Sequence, residues 1–144
     1  MIAAPIAKRP EDLEAFRISP EDTNYFAPLL DPLADGVSFT LVVEIYEPQG
    51  ATPPNTHAHA VECFFVLEGT GVGHCGAHSV PLAPGSMLAL PPGQEHIVEN
   101  TGPGKLYALC LMVPNEDFAE LIRSGEPVAL TDADRAVLAR TLVD

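Results

Sequence analysis

The sequence has no tryptophan among its 144 residues, and phenylalanine and tyrosine together make up only 6% of it. Aliphatic side chains must therefore fill any core, and a hydrophobic content of 47% suffices for one domain of ordinary size. Bases are scarce too: 7 Lys and Arg stand against 20 Asp and Glu, a net charge of −13. Such a surface repels phosphate backbones and anionic headgroups, so nucleic acid and membrane surfaces are poor partners for it. Cysteine is sparse. Cys63, Cys75 and Cys110 are odd in number and show no CxxC spacing, which suits reduced thiols in the cytoplasm better than a disulfide framework. No apolar run approaches the length of a membrane span. The stretch Met1–Ala7 is too short and too Pro-interrupted for a secretory leader, and Lys8 and Arg9 lie on the wrong side of it.

Turn formers are abundant, with 15 Pro and 11 Gly, and they cut the chain into short elements. Residues 1–36 read as an irregular N-terminal arm, with a short helix over Pro10–Phe16 started by its proline and ended at Ser19–Pro20. From Val37 the texture becomes β-branched and alternating. Phe39, Leu41, Val43 and Ile45 share one face of a strand; Thr40, Val42, Glu44 and Tyr46 share the other. Further strands are expected at Glu62–Glu68, Gly71–Cys75, Ser79–Leu82, Met87–Leu90, His96–Asn100 and Lys105–Val113. Many short strands separated by Gly or Pro argue for an antiparallel sandwich or barrel over residues 37–113. Residues 114–144 form a helical tail. Asn115 can cap a helix over Glu116–Arg123 stopped by Gly125, and Thr131 opens a second one.

Two histidine-bearing segments stand out. His57, His59 and Glu62 lie within the first, and His96 lies in the second, Gly85–Asn100. On a strand, residues two apart face the same way, so His57 and His59 can converge on one ion. A turn at Ala60–Val61 can swing the Glu62 carboxylate back, and His96 arrives from a distant strand. Three imidazoles and a carboxylate suit a divalent Fe, Mn, Ni, Co or Zn ion and leave one or two coordination positions open. Glu62 can also be read as the pocket acid of a metal-free barrel. Tyr46, Phe64, Gln94 and Tyr107 are candidates to line a substrate pocket. His74, Cys75 and His78 belong to an exposed hairpin, Cys63 faces away from the interior, Cys110 is a packed thiol, and Asn100 ties a turn.

The second segment resembles the second motif of the cupin superfamily: Gly85, five residues, Pro91, one residue, Gly93, two residues, His96, three residues, Asn100. Glu62, six residues and Gly69 match the end of the first motif, and Thr70–Pro84 has the length of a compact microbial inter-motif segment. The resemblance covers roughly residues 37–113. It implies an antiparallel jelly-roll β-barrel with short N- and C-terminal helical segments and a metal at its mouth, held by His57, His59, Glu62 and His96. It also implies pairing into a homodimer through outer strands and the N-terminal arm.

The first motif departs from the family's spacing. Six residues separate Gly50 from His57, one more than usual, and only two separate His59 from Glu62. The departures cancel between Gly50 and Glu62, which leaves the histidine pair displaced by one position. On a regular strand that slip turns a side chain to the opposite face, and Thr56 and Ala58 would take the ligand positions. Either a bulge or the Pro53–Pro54 bend absorbs the slip, or these histidines do not bind the ion together. The functional expectation is a metal-dependent oxygenase-, lyase- or isomerase-type enzyme acting on a small polar organic molecule. The alternative is a non-catalytic small-ligand-binding or storage protein, with or without metal.

Overall fold

The computed structural model describes residues 4–140; Met1–Ala3 and residues 141–144, parts of the expected arm and tail, lie outside the described residues, as does the start of the Met1–Ala7 stretch. Among the described residues ten strands carry the fold: β1 (Ala15–Arg17), β2 (Asn24–Leu30), β3 (Thr40–Tyr46), β4 (Val61–Glu68), β5 (Gly71–Cys75), β6 (His78–Leu82), β7 (Met87–Leu90), β8 (His96–Asn100), β9 (Leu106–Val113) and β10 (Glu126–Val128). Three short helices accompany them among the described residues: α1 (Pro32–Asp35) and α2 (Phe118–Arg123) between strands, and α3 (Asp132–Ala139) after the last.

The strands form a seven-stranded sheet in the order β10-β1-β2-β3-β9-β4-β7 and a three-stranded sheet in the order β6-β5-β8. Every pairing is antiparallel. The ladders do not join the sheets into one closed barrel; two isolated bridges, Ala51↔Glu99 and Asn55↔His96, tie β8 to the segment between β3 and β4. The core lies between the sheets, where Val42, Tyr46, Phe64, Val66, Ala108 and Met112 of the larger sheet meet Leu82 and Val98 of the smaller.

The alternation in β3 holds, but both of its faces are buried. Val42 and Tyr46 point into the space between the sheets, while Val43 and Ile45 join a second cluster with Tyr25, Ala27 and Tyr107. Leu130 and the α3 residues Val137 and Leu138 cover that second cluster. Burying Ile45 completely contributes roughly 1.5–3 kcal/mol.

The N-terminal segment is less irregular than its composition suggests. Only a single 3-10 turn forms over Pro10–Asp12, and Ala15–Arg17 is a strand. β2 pairs with β3 from Asn24↔Tyr46 to Leu30↔Leu41, with a register shift between Pro28 and Leu30. The sequence Asn24–Tyr25–Phe26–Ala27–Pro28 hides this strand, because its first five residues are all buried and no polar alternation marks a face.

α2 also starts later than its asparagine suggests. Glu116 and Asp117 both take positive φ, which delays the helix to Phe118. Asn115 still serves it, accepting from the Ala119 N–H at 2.9 Å. α3 begins as expected, with Thr131 and Asp134 forming a reciprocal capping box.

Two motif residues act as backbone ties. Asn100 donates to the carbonyls of Tyr46, Glu47 and Gly104 and accepts from the Gly102 N–H. Gly69 has φ +90, and a Cβ there would meet the Lys105 carbonyl oxygen at 2.5 Å, so only glycine fits.

The outer layer is pinned by one carboxylate. Asp134 is fully buried and accepts from Tyr25 Oη at 2.8 Å, Tyr107 Oη at 2.6 Å and Lys105 Nζ at 3.1 Å. Asp134→Ala leaves two buried hydroxyls and an ammonium without their shared acceptor and should cost about 3 kcal/mol. Tyr107→Phe should cost about 1 kcal/mol. Chemical denaturation of both variants measures these losses; equal and negligible losses would show that α3 docks by apolar contact alone.

Candidate metal centre and cavity

β4 brings Glu62 into the space between the sheets. Its neighbours alternate, with Glu62, Phe64 and Val66 buried, Val61 and Phe65 exposed and Cys63 between the two classes. β8 brings His96 to the same place, with 3% of its surface exposed. The bridge opposite Asn55 anchors that end of the strand: the Asn55 N–H donates to the His96 carbonyl, and the His96 N–H donates to Asn55 O at 2.9 Å.

His57, Glu62 and His96 each offer a ligand atom, and these atoms all lie within 4.8 Å of one another. Glu62 Oε1 is 2.9 Å from His96 Nε2 and 3.3 Å from His57 Nε2. The two rings lie 5.1 Å apart, centroid to centroid. Below them, Cys110 Sγ donates to Glu62 Oε2 at 3.1 Å. Burial, and then the charge of Glu62, push the Cys110 thiol well up, so it stays protonated and able to donate. Burial alone would raise the Glu62 carboxyl, but hydrogen bonds from His57, His96 and Cys110 outweigh it and hold the group at about 2.

His59 is not brought into this group. It is exposed, and its backbone N–H donates to Glu116 Oε1 at 2.7 Å. The same carboxylate group accepts from the Ala58 and Ala60 N–H groups at 3.0 and 3.1 Å. The reason is local geometry: after the bridge at Asn55 the chain turns at Ala58–His59 instead of running as a strand. The two-residue periodicity that would align His57 with His59 therefore does not apply. The turn absorbs the one-residue displacement of the first motif, and only His57 points inward.

A cavity of about 220 Å³ opens above these side chains, lined by His57, Glu62, His96, Phe64, Glu44, Asn24, Asn55 and Thr52 among others. Phe118 and Leu121 of α2 line it as well, and Phe118 packs edge-on against Phe26 at 5.6 Å. Of the four expected pocket residues, Phe64 lines this cavity. The other three expected pocket residues lie outside the lining. Tyr46 is buried in the core, Tyr107 turns to the outer cluster and Asp134, and Gln94 is exposed on the turn before β8. Gln94 contributes through its backbone, its carbonyl lying 3.2 Å from His96 Nδ1.

Glu44, Asn24 and Asn55 are the site residues that sequence reasoning passed over. Glu44 carried a legible signal: it is a carboxylate on the inward face of β3, between Val42 and Tyr46. It accepts from Asn24 Nδ2 at 2.9 Å. Burial, and then the nearby charge of Glu62, raise its pKa from the usual 4.5 to about 8. Folding therefore favours the protonated form, and stability contributed by this group declines as pH climbs from 4.5 to about 8. In metal-free protein, Glu44→Gln should remove that decline, so the variant's melting temperature should gain on the wild type's across this window. Parallel melting curves at every pH would contradict the assignment.

The cupin domain family model matches residues 42–112. The germin-like protein 9-3 of Oryza sativa subsp. japonica is 30% identical over 115 residues, covering 76% of this chain and 53% of that protein. The chain thus spans about half the length of this relative. Two solved structures share the fold. One, from Thermotoga maritima and described as a predicted oxalate decarboxylase, has a TM-score of 0.67 at 24% identity and covers 76% of this chain and 99% of its own. The other, a cupin-2 domain from Rhodospirillum rubrum, has a TM-score of 0.65 at 20% identity and covers 94% of this chain and 87% of its own.

Proposed function

This chain belongs to the cupin superfamily, and from that premise we propose that its two facing sheets form the jelly-roll barrel of a metal-dependent enzyme acting on a small polar organic molecule. His57, Glu62 and His96 would hold one divalent Fe, Mn, Ni, Co or Zn ion, with His59 outside the coordination sphere. The observation that carries this reading is the convergence of two imidazole nitrogens and one carboxylate oxygen within 4.8 Å on the wall of a cavity. Two histidines and a carboxylate form a ligand set that leaves positions open for substrate.

The surroundings of His96 fit an ion. Its Nδ1 faces the Gln94 carbonyl and its Nε2 faces the Glu62 carboxylate. A neutral imidazole carries one N–H and can satisfy only one of these two acceptors. Were His96 to hold a cation, its Nδ1–H would donate to the carbonyl and fix the tautomer, and Nε2 would be free to ligate. The thiol of Cys110 plays the corresponding part for Glu62, holding Oε2 so that Oε1 stays turned toward the rings. When bound, such an ion supplies Lewis acidity or, if redox-active, electrons for oxygen chemistry. The protein itself supplies a small cavity walled by Phe64, Phe118 and Leu121 that limits water and excludes bulky molecules. Glu44 offers a proton-carrying carboxyl inside that cavity, a group suited to acid–base work on a bound substrate.

The same reading takes the protein as a cytoplasmic homodimer. Phe65 and Met87 support the pairing: they lie opposite each other on the outer face of β4 and β7 and are 42% and 65% exposed. Elemental analysis of protein purified without chelator tests the metal site. The wild type should retain a single divalent ion per chain, His96→Ala should lose it, and His59→Ala should keep it. Equal loss in both variants would contradict the three-ligand assignment, and a metal-free wild type would leave a binding protein instead of a metalloenzyme.

A further inference from the structure

The cavity wall has a chemical bias that the metal ligands do not explain. Asn24 Nδ2 is committed to Glu44 Oε2, which turns the amide oxygen away from that pair. Asn24 is 98% buried by its exposed fraction of 2%, yet its Oδ1 has no hydrogen-bond partner among the described residues. Asn55 repeats the pattern. Its Nδ2 donates to the Pro53 carbonyl at 3.2 Å, and its Oδ1 is buried without a partner. Both asparagines line the cavity. Burying an acceptor oxygen unpaired is costly, and both residues that carry such an atom belong to the wall of one cavity, which is thereby left with two acceptors short of donors.

The charges agree. Asp22, Glu44 and Glu62 line the cavity, and among the described residues no Lys or Arg does. A second carboxylate on a bound ligand would face these acids with no Lys or Arg beside it.

We infer that the cavity takes a small molecule with one oxygen group for the ion and hydroxyl or amine donors for the Asn24 and Asn55 oxygens, in preference to a compact dicarboxylate. The inference rests on the metal-site reading for the first group only; the donor preference belongs to the protein wall. It separates this chain's substrate class from the one printed for its Thermotoga maritima neighbour.

The test is calorimetric titration of protein loaded with Mn(II), its metal content measured beforehand, with glycerate, serine and malonate. Each ligand offers one carboxylate to the ion, and they differ in the second group: hydroxyls, a hydroxyl with an ammonium, or another carboxylate. Glycerate or serine should bind about tenfold more tightly than malonate, and whichever binds better identifies hydroxyl or amine as the preferred donor. Asn24→Ala should abolish most of that preference, bringing glycerate and serine affinity down toward that of malonate. Asn55→Ala provides the same comparison should Asn24→Ala fail to fold. Malonate binding as tightly as the other two, a preference untouched by the folded variants, or no binding by any of the three would overturn the inference. If the protein holds neither Mn(II) nor any of the other four ions, the metal reading fails on its own, and the donor preference is then read on metal-free protein with glycerol and ethanolamine against acetate. Preference for either donor, lost in the Asn variants, supports it; acetate binding as well, or no binding at all, overturns it.

Discussion

One carboxylate oxygen shared between two imidazoles, inside the space where two sheets face each other, is the constraint on which the site depends. Glu62 cannot sit in that interior alone, because an unpaired buried carboxylate is too costly. His57, His96 and Cys110 make it tolerable, and each comes from a different stretch of backbone. The fold's job is to bring those stretches together: β4 and β9 pair directly, β8 belongs to the other sheet, and the His57 turn is held by the bridge at Asn55 and the Glu116 carboxylate. Losing any of these attachments exposes the same charge problem.

The central strands were legible because their signals are local. β5, β7 and β8 form over the expected residues, and β3, β4, β6 and β9 differ from expectation only at their N-terminal ends. Alternation, β-branching and flanking Gly or Pro act over a few residues and need no knowledge of the rest of the chain. The N-terminal strands were not legible, because β2 is buried continuously and β1 is three residues long, paired with β10 from the far end of the chain. β1 is held on one side by a partner more than a hundred residues away, which a window of sequence does not contain, and β2 pairs with the nearby β3 but shows no alternation to mark it.

The site divides in the same way. His57, Glu62 and His96 lie together, with Phe64 lining the same cavity, as spacing and inward alternation suggest. His59 lies apart from them, because its expected convergence with His57 rests on a rule that holds only on a strand; the turn at Ala58–His59 is tied to Glu116, a residue outside the motif. Tyr107 illustrates the limit of residue-type reasoning. A phenol near a barrel mouth is a reasonable pocket candidate, but its face is set by strand register, and its hydroxyl is spoken for by Asp134 on the other side of the sheet. Glu44 shows the reverse. Its inward position was visible in the alternation of β3, but its importance comes from Asn24 and Glu62, which only the fold sets beside it.

The claim at the centre of this account is that His57, Glu62 and His96 grip a single ion at the cavity wall. Anomalous diffraction at the metal absorption edge, from crystals of protein purified with its native metal, addresses that claim most directly. The account predicts one strong peak bonded to Nε2 of His57, Nε2 of His96 and Oε1 of Glu62, with His59 remote from it. A peak elsewhere, such as beside His74 and Glu99 on the outer face, or well-ordered crystals with no peak between these three side chains, would contradict it.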